Sequence, residues 1–352
     1  AGAFKVRYIH MTHSIPDTCH LFIQTPVGNF YHGSDFKIDL TPVFDEPPDF
    51  HEIARASGMG IKLLLSDGLG SEREGYTLSE AIVGKTFDEE MRVSKGRFFM
   101  TTFASNISRI KQCVEAAVKF NRKLCFVGRS MKRNMEIAFQ NRYIKLNKDW
   151  VVSDEDVSRL PDNKICFILT GSQGESRSGM DKVALGIHRF IKLKKTDRVL
   201  FSSDPIPGND TTIQDLQERI IEQGAEGIYT AIRDDLHASG HGSQGDLKLL
   251  ARLVNAKNVM PIGTTIRHSK AYATLMKELG YSPENIFMLH DGQPLVFELM
   301  KIYSEDPIEL KEMIVDGGSI GDVVETILKE RATLGREGVI LVAVNGEDVR
   351  IE

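Results

Sequence analysis

The chain has 352 residues and a formal net charge of −5, with 44 lysines and arginines against 49 aspartates and glutamates. This length is sufficient for two or three domains. The acidic balance argues against a basic protein that coats nucleic acid by charge alone, so any polyanion site must be a local groove. No apolar run approaches the ~20 residues that span a bilayer, and the opening residues lack a signal-peptide pattern. We therefore expect a cytoplasmic protein without a membrane segment.

The four cysteines are scattered without C-x-x-C spacing, and three of them lie in apolar runs. This pattern predicts buried thiols in a reducing compartment. Both ends of the sequence are expected to be cut, because an alternating strand pattern (FKVRYIHM) opens the chain and an apolar run with a turn closes it. Domain boundaries normally lie in exposed linkers instead.

Residues 1–40 predict two short strands around a turn at Gly28-Asn29. A proline-rich connection (TPVFDEPPDF) follows, and an apolar run at 61–66 predicts the next strand.

From about residue 95, a pattern of an apolar run, a polar turn and a helical segment repeats. The four apolar runs with their turns occupy 97–106, 123–131, 164–175 and 198–209. Strands that alternate with helices predict an α/β fold with a parallel sheet covered on both faces. Ligands bind beyond the carboxyl ends of such strands, and the Ser, Thr, Gly and Asn residues found there suit phosphate groups.

The remaining segments continue this alternation. We expect a helix at 211–223, a strand at GIYTAI, a helix at about 244–254, a short strand at NVMPIG and a helix at 269–279. From 286 onward the sequence predicts several short strands around one helix at about 320–333.

His13 and Asp35 lie at strand ends or turns and could together ligate a divalent metal. From spacing alone, the simpler interpretation as loop-capping residues is favoured. Asp67 follows an apolar strand, where it could orient a metal ligand or form a turn before glycine.

The segment HASGHGSQ places His237 and His241 four residues apart around Ser-Gly, which is a poor helix interior. Its glycines allow close backbone approach, and the helix that begins near Ser243 could face an anion with its N-terminus. These features favour a functional loop over a structural one.

The strand-end segments TGSQGE and SSDPIPGN are unusual enough to favour function, whereas FASN and GRSM alone would be ordinary helix entries. Ser105 could be an N-cap, and Arg129 could bind phosphate or lie on the surface. The candidate substrate contacts in these four segments are Ser105, Asn106, Arg129, Ser130, Ser172, Gln173, Ser202, Ser203 and Asn209.

Several segments occur in order along nearly the whole chain. They are THSIPD, GSDFKIDLTP, LLLSDG with GYTLSE, TTFASNISRI, GRSMKRNMEIA, TGSQGE, SSDPIPGN, LHASGHGSQGDLKLL and VDGGSIGDV. Together they resemble the ribonuclease J branch of the β-CASP metallo-β-lactamase family. The resemblance implies a partial αββα metallo-β-lactamase fold with an inserted β-CASP domain. The implied metallo-β-lactamase fold comprises residues 1–81 and 243–300, and the implied β-CASP domain comprises residues 82–242. Residues 301–352 are the implied tail that connects to a further domain.

The resemblance also implies a function. Members of the family bind two divalent metals, usually zinc with Mn or Mg as alternatives, and use a metal-activated water against an RNA phosphodiester. This implies 5′-to-3′ exonuclease and endonuclease activity on single-stranded RNA with a 5′ monophosphate, in a homodimer or tetramer.

By resemblance, His13 matches a terminal metal ligand, Asp35 the bridging carboxylate and Asp67 the first β-CASP motif. His237 and His241 lie in the second motif, so these two histidines and Asp67 are the implied catalytic residues. The loop that receives the 5′ monophosphate is matched by Ser239, Gly240, His241, Gly242 and Ser243.

Two departures from the family pattern affect the metal site. The H-x-H-x-D-H motif is expected upstream of residue 1, and Gly263 stands where a metal-binding histidine is expected, with His268 too far along to replace it. Because two protein ligands rarely hold a catalytic zinc, we expect the metals to bind poorly and this chain alone to be inactive. The alternative is a degenerate pseudo-nuclease that binds RNA or a partner nuclease; a small-ester metallohydrolase is disfavoured by TGSQGE and SSDPIPGN.

Overall fold

The structure is a computed structural model that describes residues 2–43, 46–206, 208–299 and 301–310, together with the short pieces 315–316, 319–320, 327, 329–331, 333–334, 342–345 and 348–351. The chain divides into two compact units, Ala1–Met288 and Leu289–Glu352.

The first unit contains a mixed five-stranded sheet. Its strands are β1 (Lys5–His10), β2 (Cys19–Thr25), β3 (Gly28–Gly33), β4 (Leu63–Asp67) and β10 (Asn258–Ile262), in the order β1-β2-β3-β4-β10. The β1–β2 and β2–β3 pairs are antiparallel, whereas β3–β4 and β4–β10 are parallel. The helices α1 (Phe50–Gly58), α7 (Gln244–Val254) and α8 (Ile266–Glu278) share its apolar core.

The turn between β2 and β3 lies two residues earlier than expected. Thr25 pairs with Gly28 in the antiparallel ladder, so Pro26 and Val27 form the turn and Gly28-Asn29 begins β3. The prediction of a turn at Gly28-Asn29 was therefore wrong. Gly28 has a φ of +139°, and a Cβ on it would lie 2.6 Å from the Lys62 side chain, so the glycine is needed within the strand.

A second five-stranded sheet is entirely parallel. Its strands are β5 (Phe98–Thr101), β6 (Lys123–Val127), β7 (Ile165–Leu169), β8 (Arg198–Phe201) and β9 (Glu226–Ile228), in the order β6-β7-β5-β8-β9. The helices of this part are α2 (Ala81–Val93), α3 (Ile107–Lys119), α4 (Arg129–Gln140), α5 (Gly179–Ala184) and α6 (Asp210–Glu222).

Helices cover both faces of the parallel sheet. Along β5, Phe98 and Met100 join the core that contains α3 and α4, whereas Phe99 joins the core that contains α5 and α6. Successive side chains of a strand point to opposite faces, so a strand covered on both sides must be apolar throughout. This explains the apolar run Phe98-Phe99-Met100, and the predicted α/β class and helix-covered parallel sheet are confirmed.

Three of the cysteines, Cys113, Cys125 and Cys166, are buried, as their apolar surroundings predict. None of the described helices is both long and apolar enough to cross a membrane.

In the second unit, β11 (Leu295–Phe297) pairs with β12 (Ile302–Ser304). Further antiparallel pairs join β13 (Val315–Asp316) to β14 (Ser319–Ile320) and β15 (Val342–Asn345) to β16 (Asp348–Ile351). Part of the helix predicted at about 320–333 is described as helical, and the rest lies outside the described residues. The predicted domain boundaries stay predictions, although β10 from the 243–300 segment pairs with β4 from the 1–81 segment.

Candidate metal and phosphate site

Three side chains that are distant in the sequence meet beside the first sheet. His13 follows β1, Asp35 follows β3, and His241 lies in the loop before α7. One potential ligand atom from each of these residues lies within 4.8 Å of the others. Two imidazoles and a carboxylate are a donor set that suits a divalent cation such as zinc, and three protein ligands are typical of a catalytic zinc site.

Hydrogen bonds orient both imidazoles of this cluster. The Nδ1 of His241 lies 2.7 Å from the Asp67 Oδ2, and the Nδ1 of His13 lies 2.7 Å from the carbonyl oxygen of Gly240. Because a carboxylate and a carbonyl can only accept, each Nδ1 carries the hydrogen and each Nε2 keeps a lone pair. Outer partners of this type are what metal-ligating histidines ordinarily have. The cluster therefore fits a cation.

The two histidines differ in their proton affinity. Burial lowers the pKa of His13 below its ordinary value. Burial also lowers the pKa of His241, but the hydrogen bond and charge of Asp67 outweigh that effect, so the pKa of His241 is raised. Since a ligating imidazole must be neutral, protonation of His241 competes with cation binding at this site.

The loop that carries His241 is held by backbone and carboxylate contacts. The Gly242 N–H donates to the Phe36 carbonyl at 2.6 Å, and the buried Asp246 carboxylate accepts from the Ser243 N–H at 2.9 Å. Asp246 also accepts from the N–H groups of Ile38 and Thr77. Four neighbouring segments are thereby tied together, so the loop is preorganised.

Close backbone packing explains two glycines in and around this loop. A Cβ on Gly70 would lie 1.8 Å from the Gly242 carbonyl oxygen, and one on Gly240 would lie 2.6 Å from the His13 ring. Neither position can hold a larger side chain without displacing the loop. The sequence resemblance assigned Gly240 and Gly242 to phosphate binding. In the structure, the Gly240 carbonyl accepts from His13 and the Gly242 N–H donates to the Phe36 carbonyl.

His237, at the other end of the loop, binds a buried arginine. Arg109 from α3 is fully buried, and its Nη1 lies 2.7 Å from the His237 Nδ1. A guanidinium can only donate, so Nδ1 accepts and the ring hydrogen lies on Nε2. Burial, followed by the charge of Arg109, lowers the pKa of His237 to about 2. His237 is consequently a neutral imidazole that offers an Nε2–H donor.

Arg109 is fixed by a bidentate ion pair with Glu80, at 2.8 Å for both bonds. It also donates to the carbonyl of Ser202 at 2.7 Å and to that of Ala238 at 3.1 Å. The buried Lys37 ammonium lies 3.9 Å from the Glu80 carboxylate. This buried network joins the start of α2, α3, the loop after β8 and the segment His237–Ser243, which we call the histidine loop.

The loops after β7 and β8 meet through one amide side chain. Gln173 donates to the Ser203 hydroxyl at 3.1 Å and to the Asp204 carbonyl at 2.8 Å, and its oxygen accepts from the Asn209 amide at 3.4 Å. The Asp204 carboxylate lies 3.6 Å from the Nε2 of His237, and burial raises the pKa of Asp204. These contacts bring Gln173, Ser203 and Asn209 to the neighbourhood of His237.

The other predicted contact residues have varied environments. Ser239 accepts from the His241 N–H at 3.0 Å, and the Ser202 hydroxyl donates to the Leu236 carbonyl at 2.6 Å. Asn106 caps α3 by accepting from the Arg109 N–H. Among the described contacts, the Ser172 hydroxyl is buried without a hydrogen-bond partner.

Three predicted residues lie elsewhere. Arg129 and Ser130 line a separate crevice of the parallel sheet, and exposed Ser105 lies beside an apolar patch formed partly by α4. No described contact joins these three side chains to the histidine loop. Their role as substrate contacts stays a prediction.

Arg109, Glu80 and Asp204 were missed as candidate site residues in the sequence. Glu80 lies inside GYTLSE and Asp204 inside SSDPIPGN, so both were within strings already singled out. Arg109 interrupts an otherwise apolar helix pattern, since Ile107 and Ile110 flank it. A charged residue at such a position signals a buried partner.

Gly263 follows β10 directly, and its neighbour Ile262 pairs with Asp67 at the end of β4. A Cβ on Gly263 would meet no atom within 4 Å, although its φ of +65° is unfavourable for other residues. His268 lies 3.7 Å from the Glu72 carboxylate and is outside the described cluster of His13, Asp35 and His241.

Comparisons with known proteins agree with this architecture. Residues 95–220 match the family model described as the ribonuclease J β-CASP domain. The chain is 34% identical over 343 residues to ribonuclease J of Helicobacter pylori, covering 97% of this chain and 50% of that protein. It is 36% identical to ribonuclease J of Thermus thermophilus, covering 99% of this chain and 61% of that protein. It is also 36% identical to ribonuclease J 1 of Streptococcus pyogenes, covering 96% and 60%.

A crystal structure of a protein of unknown function from Enterococcus faecalis shares the fold, with a TM-score of 0.57 at 14% identity over 87% of this chain and 65% of that chain. The chain thus spans between half and about three-fifths of the length of these curated relatives. The β-CASP model matched by residues 95–220, the curated relatives and the helix-covered parallel sheet together support this chain as a member of the ribonuclease J-like β-CASP family.

Proposed function

We propose that the protein is a ribonuclease J-type enzyme that hydrolyses RNA phosphodiesters with a divalent cation. The observation that carries this proposal is the cluster of His13, Asp35 and His241, whose imidazole Nδ1 atoms are held by Gly240 and Asp67. Relatives named ribonuclease J support RNA as the substrate class. A bound divalent cation supplies Lewis acidity at a phosphate.

The side chains of this chain have distinct proposed roles. His13, Asp35 and His241 hold the cation, and Asp67 orients His241. His237, kept neutral by burial and Arg109, donates its Nε2–H to a phosphate oxygen of the substrate. A neutral donor suits this task, because it can bind the anion without first taking up a proton.

We further propose that the substrate is single-stranded RNA with a 5′ monophosphate and that the protein acts as a 5′-to-3′ exonuclease with endonuclease capacity. The loop Ser239–Ser243 supports this, because it lies at the N-terminus of α7 and contributes His241 to the group of His13, Asp35 and His241, which we call the cation cluster. Proposed partners are the RNA and further copies of the chain in a homodimer or tetramer.

The structure supplies three candidate ligands where the sequence predicted two, because His241 joins His13 and Asp35. We therefore propose that the 352-residue chain binds one zinc or manganese ion. The test is calorimetric titration with Zn²⁺ or Mn²⁺ after chelator treatment. Asp35→Asn is expected to weaken binding at least tenfold, whereas Asp162→Asn, which removes a surface carboxylate, leaves it unchanged. Equal binding by the wild type and Asp35→Asn would show that the cluster is not the site.

The orienting role of Asp67 has its own test. Asp67→Asn keeps the shape but removes the charge that holds the His241 hydrogen. Loss of such an outer partner typically costs 10- to 100-fold in metal affinity. An unchanged affinity would contradict the orientation argument even if Asp35→Asn behaves as expected.

Gly263 favours a second candidate, a catalytically degenerate protein that binds RNA without cleaving it. Its position beside Asp67 has open space but no ligand side chain. The two candidates are separated by incubating a 5′-monophosphorylated, end-labelled RNA with the protein and Mn²⁺. Release of nucleotides that Asp35→Asn abolishes supports the nuclease. Retention of intact RNA by both proteins supports the degenerate alternative.

A further inference from the structure

A crevice of about 860 Å³ opens beyond the carboxyl ends of β5, β6 and β7, away from the cation cluster. Its lining comes from the segment after β5 (Thr102–Ala104), the start of α4 (Gly128–Ser130) and the segment that leads into α5 (Glu175–Gly179). None of the residues that form the cation cluster or bind His237 lines it. The crevice is therefore a concave site separate from the cation cluster.

The topology of the parallel sheet accounts for this opening. The helices after β5 and β6 pack on one face, whereas those after β7 and β8 pack on the other. Adjacent strands β5 and β7 therefore send the chain in opposite directions, and a gap forms between their ends. Such switch points are where open α/β sheets bind ligands, and the volume lies in the range of small-molecule sites.

The charges around the crevice favour an anion. Four cations line it, Arg129, Lys132, Arg177 and Lys182, against two carboxylates, Asp154 and Glu175. Lys132 is paired with Asp154 at 2.9 Å. In the described part of the chain, no carboxylate lies within ion-pair distance of the other three cations. The formal balance of these six residues is +2, which matches a phosphorylated ligand.

His188 also lines the crevice but does not add charge near neutral pH. Burial lowers the pKa of His188, and the neighbouring Lys182, Lys132 and Lys192 lower it further against the opposing effect of Asp154. The attraction for an anion therefore rests on the lysine and arginine side chains.

One wall of the crevice is suited to an aromatic ring. The half-buried Phe103 lines the crevice alongside the polar groups. Gly128, which also lines the crevice, has a φ of +102°, a conformation that favours glycine at the start of α4. A site that combines cations with a partly exposed phenyl ring is equipped for phosphate and for a stacked base.

We propose that this crevice binds a nucleotide that carries two or more phosphates. Arg129, Arg177 and Lys182 receive the phosphates, and Phe103 stacks against the base. This site is separate from the proposed nuclease site and does not depend on a divalent cation. A small nucleotide bound here would be an additional ligand of the enzyme, distinct from the RNA at the histidine loop.

The test is calorimetric titration of the 352-residue chain with ADP in the presence of EDTA, which removes any cation from the His13 cluster. ADP is expected to bind saturably, whereas adenosine, which lacks phosphate, is not. Arg129→Gln combined with Arg177→Gln is expected to weaken ADP binding at least tenfold. The matched control is Arg55→Gln with Arg159→Gln, two exposed arginines elsewhere, and it leaves ADP affinity unchanged.

The role of the base is tested with Phe103→Ala, which should weaken ADP binding while pyrophosphate binding stays the same. Equal affinity of the wild type for pyrophosphate and ADP would overturn the nucleotide assignment. The whole proposal fails if ADP does not bind or if the Arg129/Arg177 variant binds it normally. It also fails if that variant loses affinity for 5′-phosphorylated RNA while ADP never binds, because the crevice is then part of an RNA track. Since EDTA is present, none of these outcomes depends on the proposed nuclease activity.

Discussion

Removing Arg109 gives the sharpest test of how the histidine loop is held. In Arg109→Met, the Glu80 carboxylate loses its bidentate partner at 2.8 Å, and the carbonyls of Ser202 and Ala238 lose their donor. Loss of one partner from a buried ion pair costs about 3–5 kcal/mol. Lys37, 3.9 Å from Glu80, still compensates part of that charge, so we expect about 3 kcal/mol.

The measurement is urea unfolding followed by circular dichroism and by the fluorescence of Trp150, the single tryptophan. Coincidence of the two transitions checks that unfolding is two-state. A double-mutant cycle with Glu80→Met isolates the pair. The double variant is expected to be about 2 kcal/mol more stable than the sum of the single losses predicts, because no uncompensated carboxylate remains.

The matched control is Lys248→Met, which removes a surface pair with Glu278 at 2.7 Å. Exposed pairs contribute about 0–1 kcal/mol, so this variant should unfold almost as the wild type does. If the Arg109 and Glu80 losses simply add, or if Arg109→Met costs no more than Lys248→Met, the buried network does not hold the loop and the reasoning is refuted.

Two further predictions concern protonation and close packing. Burial lowers the pKa of His20 to about 3 and that of His237 to about 2, so both stay neutral in the folded protein when unfolded histidines protonate. Their contribution to the free energy of unfolding is complete above pH ~6.5 and is lost on acidification, by about 2 kcal/mol between pH 6 and 5. In urea unfolding at these two pH values, His237→Asn should halve that loss of stability. An unchanged pH dependence of stability would contradict the prediction. Gly70→Ala, which collides with the Gly242 carbonyl, should cost about 2–3 kcal/mol in urea unfolding, whereas Gly58→Ala, with open space around it, should not; equal stability would refute the packing argument.

The sequence by itself determined the strands and most of the helices of the parallel sheet. Residues such as Phe98, Phe99 and Met100 must all be apolar, because a strand covered on both faces has no solvent side. The same local logic placed polar loops at the carboxyl ends of these strands. It failed at the turn beside Gly28, because the glycine that signals a turn is used inside the strand next to Lys62.

Only the tertiary structure decided which of these polar residues share a site. Asp67 and His241 are 174 positions apart, and Arg109 and His237 are 128 apart. Their contacts follow from the strand order β6-β7-β5-β8-β9 and from the return of the chain to β10. That order is set by non-local burial of apolar faces, which no local spacing encodes. For the same reason Arg129 and Ser130, which look like the other strand-end residues in sequence, line a different crevice.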